Sequence, residues 1–209
     1  MSRSNLAFAD DVSISPGEFL VFEREAREKH EFSGGRVIAM AGASENHNII
    51  SGNLFGEVFG QLKSTDCRAF ASDMRVKASN AKNSNYYYPD IVIACGQRKF
   101  EDEKRDILLN PHAVIEISSK STKLKDHNEK LESHFALESL SDYVLIEQDE
   151  MLIQHFARID KDNWKVRLLN EKPHELIFDS INCRISLTDI YAEVQFEIVT
   201  KNRRKQSKN

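Results

Sequence analysis

The segment Ala113-Val114-Ile115-Glu116-Ile117-Ser118 has the apolar density of a strand buried on both faces, yet it carries an ionisable group at its centre. An ionised carboxylate in such a place costs several kcal/mol unless a cation or hydrogen bonds offset it. A second strand-like run, Tyr86-Tyr87-Tyr88-Pro89-Asp90-Ile91-Val92-Ile93-Ala94-Cys95, poses the same problem at Asp90. Pro89 cannot donate to a sheet ladder, so Asp90 is expected where the strand starts or the sheet opens. Alternation puts Asp90 on the face of Val92, and Glu116 on that of Val114 and Ser118. If the two strands are neighbours, both carboxylates can point to one spot. Each acid alone can be answered by an arginine or lysine. For the pair, a hard divalent cation, Mg2+ or Mn2+, is the reading preferred here, since such ions take one or two carboxylates plus waters and substrate phosphate.

The surrounding pattern predicts a single α+β domain. Ser15-Pro16-Gly17-Glu18 has the form of a capping box opening a helix to about Lys29. Glu31-Phe32 and Arg36 to Met40, joined by Ser33-Gly34-Gly35, predict a hairpin. From Ser44, apolar residues recur every four positions at Ile50, Leu54, Val58 and Leu62, so a second helix buries one side. Strands are expected at 68–70 and 74–76 around Ser72-Asp73, then a loop from Ala78 to Asn85 and the two carboxylate-bearing strands. A helix over 126–138 follows, then a meander at 143–147, 152–159, 164–169 and 175–178, and a short helix near 187–191. Residues 1–12 are expected to be a loose leader, 13–198 the folded domain and 199–209 a basic tail.

Composition narrows the function classes. The 209 residues, 40% hydrophobic and 30% charged, describe a water-soluble globular chain. No apolar run approaches the ~20 residues of a membrane helix, and the start lacks a signal peptide, so a cytoplasmic location is the default expectation. A net charge of −4 argues against a coat of basic residues for nonspecific DNA binding. Positive charge is nevertheless gathered in the tail and at Lys120, Lys123 and Lys125 beside Glu116, where it can meet phosphates. Cys67, Cys95 and Cys183 are odd in number and contain no CxxC pair, so all three are expected as free, buried thiols. No GxGxxG or GxxxxGK[ST] element is present, which removes support for dinucleotide and P-loop chemistry.

Pro89-Asp90 followed by Glu116-Ile117-Ser118, with the acids 116 − 90 = 26 positions apart, resembles the PD-(D/E)XK nuclease pattern. A longer ordered set resembles the Uma family of bacterial restriction-endonuclease-like proteins. It comprises Glu31 with Gly35-Arg36-Val37, Met40 with His47, Ser72-Asp73-Met74-Arg75-Val76, Pro89-Asp90-Ile91-Val92 and Val114-Ile115-Glu116-Ile117-Ser118. Ser121-Thr122, Asp126, Lys130 and Tyr143-Val144-Leu145-Ile146 complete it, over about residues 15 to 195. The resemblance implies a restriction-endonuclease-like core, a mixed sheet flanked by helices, with a metal-dependent site that cuts DNA phosphodiester bonds.

It assigns metal binding and catalysis to Asp90 and Glu116. The general pattern places a lysine two residues after the acid, where this chain has Ser118. In the Uma pattern the lysine sits on the following helix, at Lys130, with Lys120 as the rival. A long lysine stem can return from a packed helix to a strand. Asp126 and Lys130, at i,i+4, can equally form a surface ion pair. Glu31, His47, Asp73, Ser118 and Asp126 are accessory candidates, each with a plain structural alternative such as a cap or a turn hydrogen bond. By analogy, two-strand cleavage suggests a homodimer. The second hypothesis is a noncatalytic nucleic-acid-binding module that keeps the fold.

Overall fold

The computed structural model describes residues 13–79, 84–118 and 125–196, with 125–128 described by backbone alone. The leader 1–12, the tail 199–209, Lys120, Ser121, Thr122 and Lys123 lie outside the described residues, as do the side chains of Lys125 and Asp126.

Helix α1 (Pro16–Glu23) opens with the expected capping box, Ser15 and Glu18 bonding reciprocally. It ends well before Lys29. Strands β1 (His30–Ser33) and β2 (Arg36–Ala39) form the hairpin, and its turn needs the positive φ that Gly34 and Gly35 supply. Helix α2 (Glu45–Leu62) is capped by Ser44 and buries Ile50, Leu54, Val58 and Leu62. Strands β3 (Arg68–Ala71), β4 (Arg75–Ser79), β5 (Ser84–Tyr87), β6 (Ile91–Ala94), β7 (Ile107–Leu108) and β8 (Ala113–Ser118) come next. Helix α3 (Lys125–Phe135) precedes β9 (Asp142–Glu147), β10 (Ile153–Arg158), β11 (Trp164–Leu169), β12 (Glu175–Phe178), β13 (Cys183–Ser186) and helix α4 (Leu187–Ile190).

These strands form a six-stranded mixed sheet, ordered β11-β10-β9-β8-β6-β3, beside a five-stranded sheet, β2-β1-β5-β4-β7. In the first, β8 and β9 are parallel across the α3 crossover while β6 is antiparallel to β8. The α+β class with a mixed sheet is as expected. One face of the large sheet (Ile91, Ile115, Ile117, Val144, Ile146) packs on α2. The other (Val92, Val114, Tyr143, Leu145) packs on Leu131 and Phe135 of α3 and on Val76 and Tyr87 of the smaller sheet.

Four expectations need correcting. The aromatic run 86–95 is not one strand: Tyr88-Pro89-Asp90 breaks it, sending β5 into the small sheet and β6 into the large one. The proline has no N–H to continue a ladder, so the chain changes sheets there. Strand β4 reaches Ser79 and β5 begins at Ser84, so the expected loop 78–85 is strand at both ends. The segment 175–178 leaves the meander and pairs with β13 in a separate two-stranded ribbon. Finally, Cys67 and Cys95 are joined in a disulfide, and only Cys183 is free. The β3–β6 register pairs Arg68 with Ala94, so the next step sets Cys67 opposite Cys95. Their Cα atoms are 3.9 Å apart. Spacing along the chain cannot reveal that adjacency.

Candidate metal and nuclease centre

Strand register builds the centre of the site. The β6–β8 ladder pairs Val92 with Val114 and Ile91 with Ile115, so one further step sets Asp90 opposite Glu116. Directly opposed residues share a face. The ladder stops at Ile91, where the Pro89 break turns the chain. Asp90 compensates with its own carboxylate: Oδ2 accepts a 2.7 Å bond from the Ile117 N–H, the peptide next to Glu116. Its Oδ1 meets His47 Nε2 at 3.0 Å. His47 sits in the first turn of α2, where its own N–H is held by Ser44 Oγ. The bond to Asp90 raises the His47 pKa against the opposing effect of burial.

Glu116 is buried, with 8% of its surface accessible. Burial pushes its carboxyl up to about 8; Lys130 opposes the rise, and Asp90 and Glu31 add to it. Lys130 arrives from α3. Its Nζ donates to Glu31 Oε1 at 2.8 Å and stands 3.0 Å from Glu116 Oε1. Beyond this ion pair, that buried oxygen has no hydrogen-bond partner. Burial works against the ammonium, but Glu116 and Glu31 outweigh it and hold Lys130 well above its ordinary range. Glu31, on β1, also accepts from the Tyr88 N–H at 3.1 Å.

Four elements and the β5–β6 break therefore bring Glu31, His47, Asp90, Glu116 and Lys130 into one connected network. Ser118 is buried at the end of β8, on the face of Glu116 by alternation, and its carbonyl accepts from Gln148 N. Asp73 is not brought in: it lies at the β3–β4 turn, largely exposed, and pairs with Lys29. A turn aspartate beside a lysine is satisfied there without a metal.

Two residues escaped the sequence reading. The Tyr87 ring lies under Lys130 Nζ at 5.2 Å, a cation–π contact that helps hold the ammonium. Tyr143, on β9 opposite Val114, has a buried hydroxyl without a hydrogen-bond partner, and the charges of Glu116 and Lys130 both reach it. A triple-tyrosine run and a tyrosine in a strand read as ordinary core. Their local signal was an O–H in an apolar strand, which needs a partner, and Tyr143 also stands in the family-like set. Behind Lys130, His134 Nδ1 bonds the Lys130 carbonyl at 2.8 Å, and burial lowers the imidazole to about 3.

The donor set suits a hard cation. Three carboxylates face one lysine and one histidine, and a buried carboxylate oxygen is open. Among the described residues no three His, Cys, Asp or Glu side chains converge as a ready-made cage. An ion held by Asp90 and Glu116 would thus take its remaining ligands from water and substrate, as Mg2+ commonly does. Asp90 can accept more than its two present bonds, since a carboxylate offers about four lone-pair sites.

Comparisons with known proteins bear on the family and the fold. The family model Uma2, described as "Putative restriction endonuclease", matches residues 16–188. Two uncharacterized proteins of Synechocystis are each 30% identical. One aligns over 165 residues, 79% of this chain and 92% of its own length. The other aligns over 183 residues, 88% of this chain and 94% of its own. A crystal structure from Anabaena variabilis, described as a "putative nuclease belonging to DUF820", superposes with a TM-score of 0.69. It covers 85% of this chain and 97% of that one at 19% identity, a likeness of fold. With a family model spanning most of the chain, this protein belongs to the Uma2 family of restriction-endonuclease-like proteins.

Proposed function

We propose that the protein is a Mg2+- or Mn2+-dependent endonuclease that hydrolyses DNA phosphodiester bonds. The observation that carries this reading is the convergence of Asp90, Glu116 and Lys130 from β5–β6, β8 and α3. Asp90 and Glu116 would hold the cation, which supplies Lewis-acid charge at the scissile phosphate and eases deprotonation of the attacking water. Lys130 Nζ, beside Glu116, is placed to stabilise negative charge growing on phosphorus. Glu31 keeps that ammonium charged and directed, while His47 and the Ile117 N–H fix the plane of the Asp90 carboxylate. A rigid carboxylate is worth more to catalysis than a mobile one, because misplacement by ~1 Å can cost about a hundredfold. Two-strand cutting would use two such sites, so a homodimer is part of the proposal.

One feature favours a second reading, a noncatalytic nucleic-acid-binding module. Lys130 is already neutralised by Glu31 and Glu116, and the acids do not form a full cage. Supercoiled plasmid separates the two. The purified protein is expected to nick it with Mg2+ or Mn2+, to stop on chelation, and to lose activity as Asp90→Ala or Glu116→Ala. No metal-stimulated cleavage of single-stranded, double-stranded or branched DNA, together with a salt-dependent gel shift, would establish the binding module instead.

A further inference from the structure

The β1–β2 hairpin carries an apolar surface that folding does not explain. Along β2, Val37 turns inward to the cluster of Phe19 and Phe32. Ile38 and Met40 stay 39% and 37% exposed. Alternation puts Arg36, Ile38 and Met40 on one face of the strand. That face is the face of the site. Ile38 is the direct cross-strand partner of Glu31, whose carboxylate holds Lys130. Met40 extends the ladder opposite Lys29, its N–H bonding the Lys29 carbonyl at 3.0 Å. Arg36, opposite Ser33, reaches Glu129 of α3 at 3.8 Å. Strand β2 is also the edge of its sheet, where exposed apolar side chains are usually avoided.

We propose that Ile38 and Met40 form a nucleic-acid contact at the mouth of the carboxylate site. They would pack against the sugar and base of a nucleotide next to the scissile phosphate, with Arg36 and Lys29 on the flanking phosphates. This rests on the nuclease reading above. Three observations select nucleic acid as the occupant. A strand whose phosphate reaches Asp90 and Glu116 meets the adjoining Glu31–Ile38 row. The two flanking side chains are cationic; Glu129 is partly and Asp73 largely exposed, and Lys29 Nζ also donates to the Ser72 carbonyl at 3.0 Å. Such solvated pairs are worth roughly 0–1 kcal/mol and can be exchanged for a phosphate. The patch is also only two apolar side chains, where a stable protein interface takes roughly 20–30 residues a side. Apolar wedges of isoleucine and methionine are suited to base steps.

The test is steady-state cleavage of short fluorescent single- and double-stranded DNA with Mn2+. The double variant Ile38→Ser/Met40→Ser is expected to raise KM about tenfold, the scale of one lost base contact, while kcat stays within about twofold. Arg36→Gln should lower the slope of log KM against log salt by about one. Ile159→Ser, more exposed at 66% but beyond the end of β10, should change neither. Thermal unfolding monitors the fold, and Met40→Ser alone serves if the double variant melts. Unchanged KM and salt slope in a cleaving protein would overturn the contact and leave the nuclease reading intact. A changed sedimentation coefficient with unchanged KM would overturn it in favour of a protein interface. A wild type that cuts no DNA in any form would instead remove the nuclease reading itself.

Discussion

The large sheet buries two acidic clusters, and they are built on opposite logic. At the β9–β10 end, Asp142 is enclosed on the α2 face of the sheet. His155 Nε2 meets its Oδ1 at 2.7 Å and Ser180 Oγ donates to Oδ2 at 2.5 Å. One carboxylate has both oxygens answered, against the ring of Phe178. At the β6–β8 end, Glu31, Asp90 and Glu116 share Lys130 and His47, and a buried Glu116 oxygen stays open. The Asp142 carboxylate is satisfied within the protein, as expected of a structural element. The second cluster gathers three carboxyl groups around one lysine and one histidine, which suits a cation arriving from solvent and displacing the Glu116 proton. Burial of a carboxylate does not by itself mark a site; the balance of charge around it does.

The largest expected effect sharpens that contrast. Glu116→Gln should reduce metal-dependent cleavage by about a thousandfold, the scale of a lost charge-stabilising group. It should leave the circular dichroism spectrum unchanged. Asp142→Ala should do the reverse, costing about 3 kcal/mol in urea unfolding while kcat per folded molecule is preserved. Equal loss of cleavage in both variants would break the distinction.

Next comes Lys130→Met, which leaves Glu116 and Glu31 facing each other in a buried place. A cost of about 3 kcal/mol is expected at pH 9, where Glu116 is ionised. It should shrink as pH falls through about 8 and Glu116 takes up its proton. A cost independent of pH would show that Lys130 acts by packing alone.

Metal affinity offers a third measurement. Burial holds the Glu116 proton until about pH 8, so a cation must displace it at neutral pH. Mn2+ affinity by titration calorimetry should rise about tenfold per pH unit towards 8 and flatten above, with one proton released. A flat profile from pH 6 to 9 would remove Glu116 from the ligand set.

His47 should have the smallest effect. Its folded pKa is raised above 6.5, so the bond to Asp90 contributes its full stability below that value. The contribution is lost as pH rises through the raised value. His47→Gln should cost about 1 kcal/mol near pH 6 and less at pH 9, measured by thermal melts.

Much of the site was legible because a charge in an apolar strand is conspicuous. Glu116 and Asp90 were found that way, and the register that opposes them only made their meeting geometric. Lys130, Glu31 and His47 entered through the family resemblance, since nothing in local spacing tells a helix lysine that folds inward from one in solvent. Asp73 matched the same pattern, yet it lies at an exposed turn with Lys29. Tyr143 and Tyr87 looked like core, because only the packed fold reveals that a hydroxyl and a ring face Lys130.

Short-range chemistry in the chain determined the capped helices, the glycine turn at 34–35 and the apolar strands, for each depends on neighbours within a few residues. Tertiary structure decided what depends on partners far apart in sequence. It sent the aromatic run into two sheets at Pro89, placed Cys67 against Cys95, drew β12 out of the meander and aimed Lys130 at Glu116. The physical reason is common to all four. Register and packing set which distant residues touch, and a single chain carries no local record of that choice.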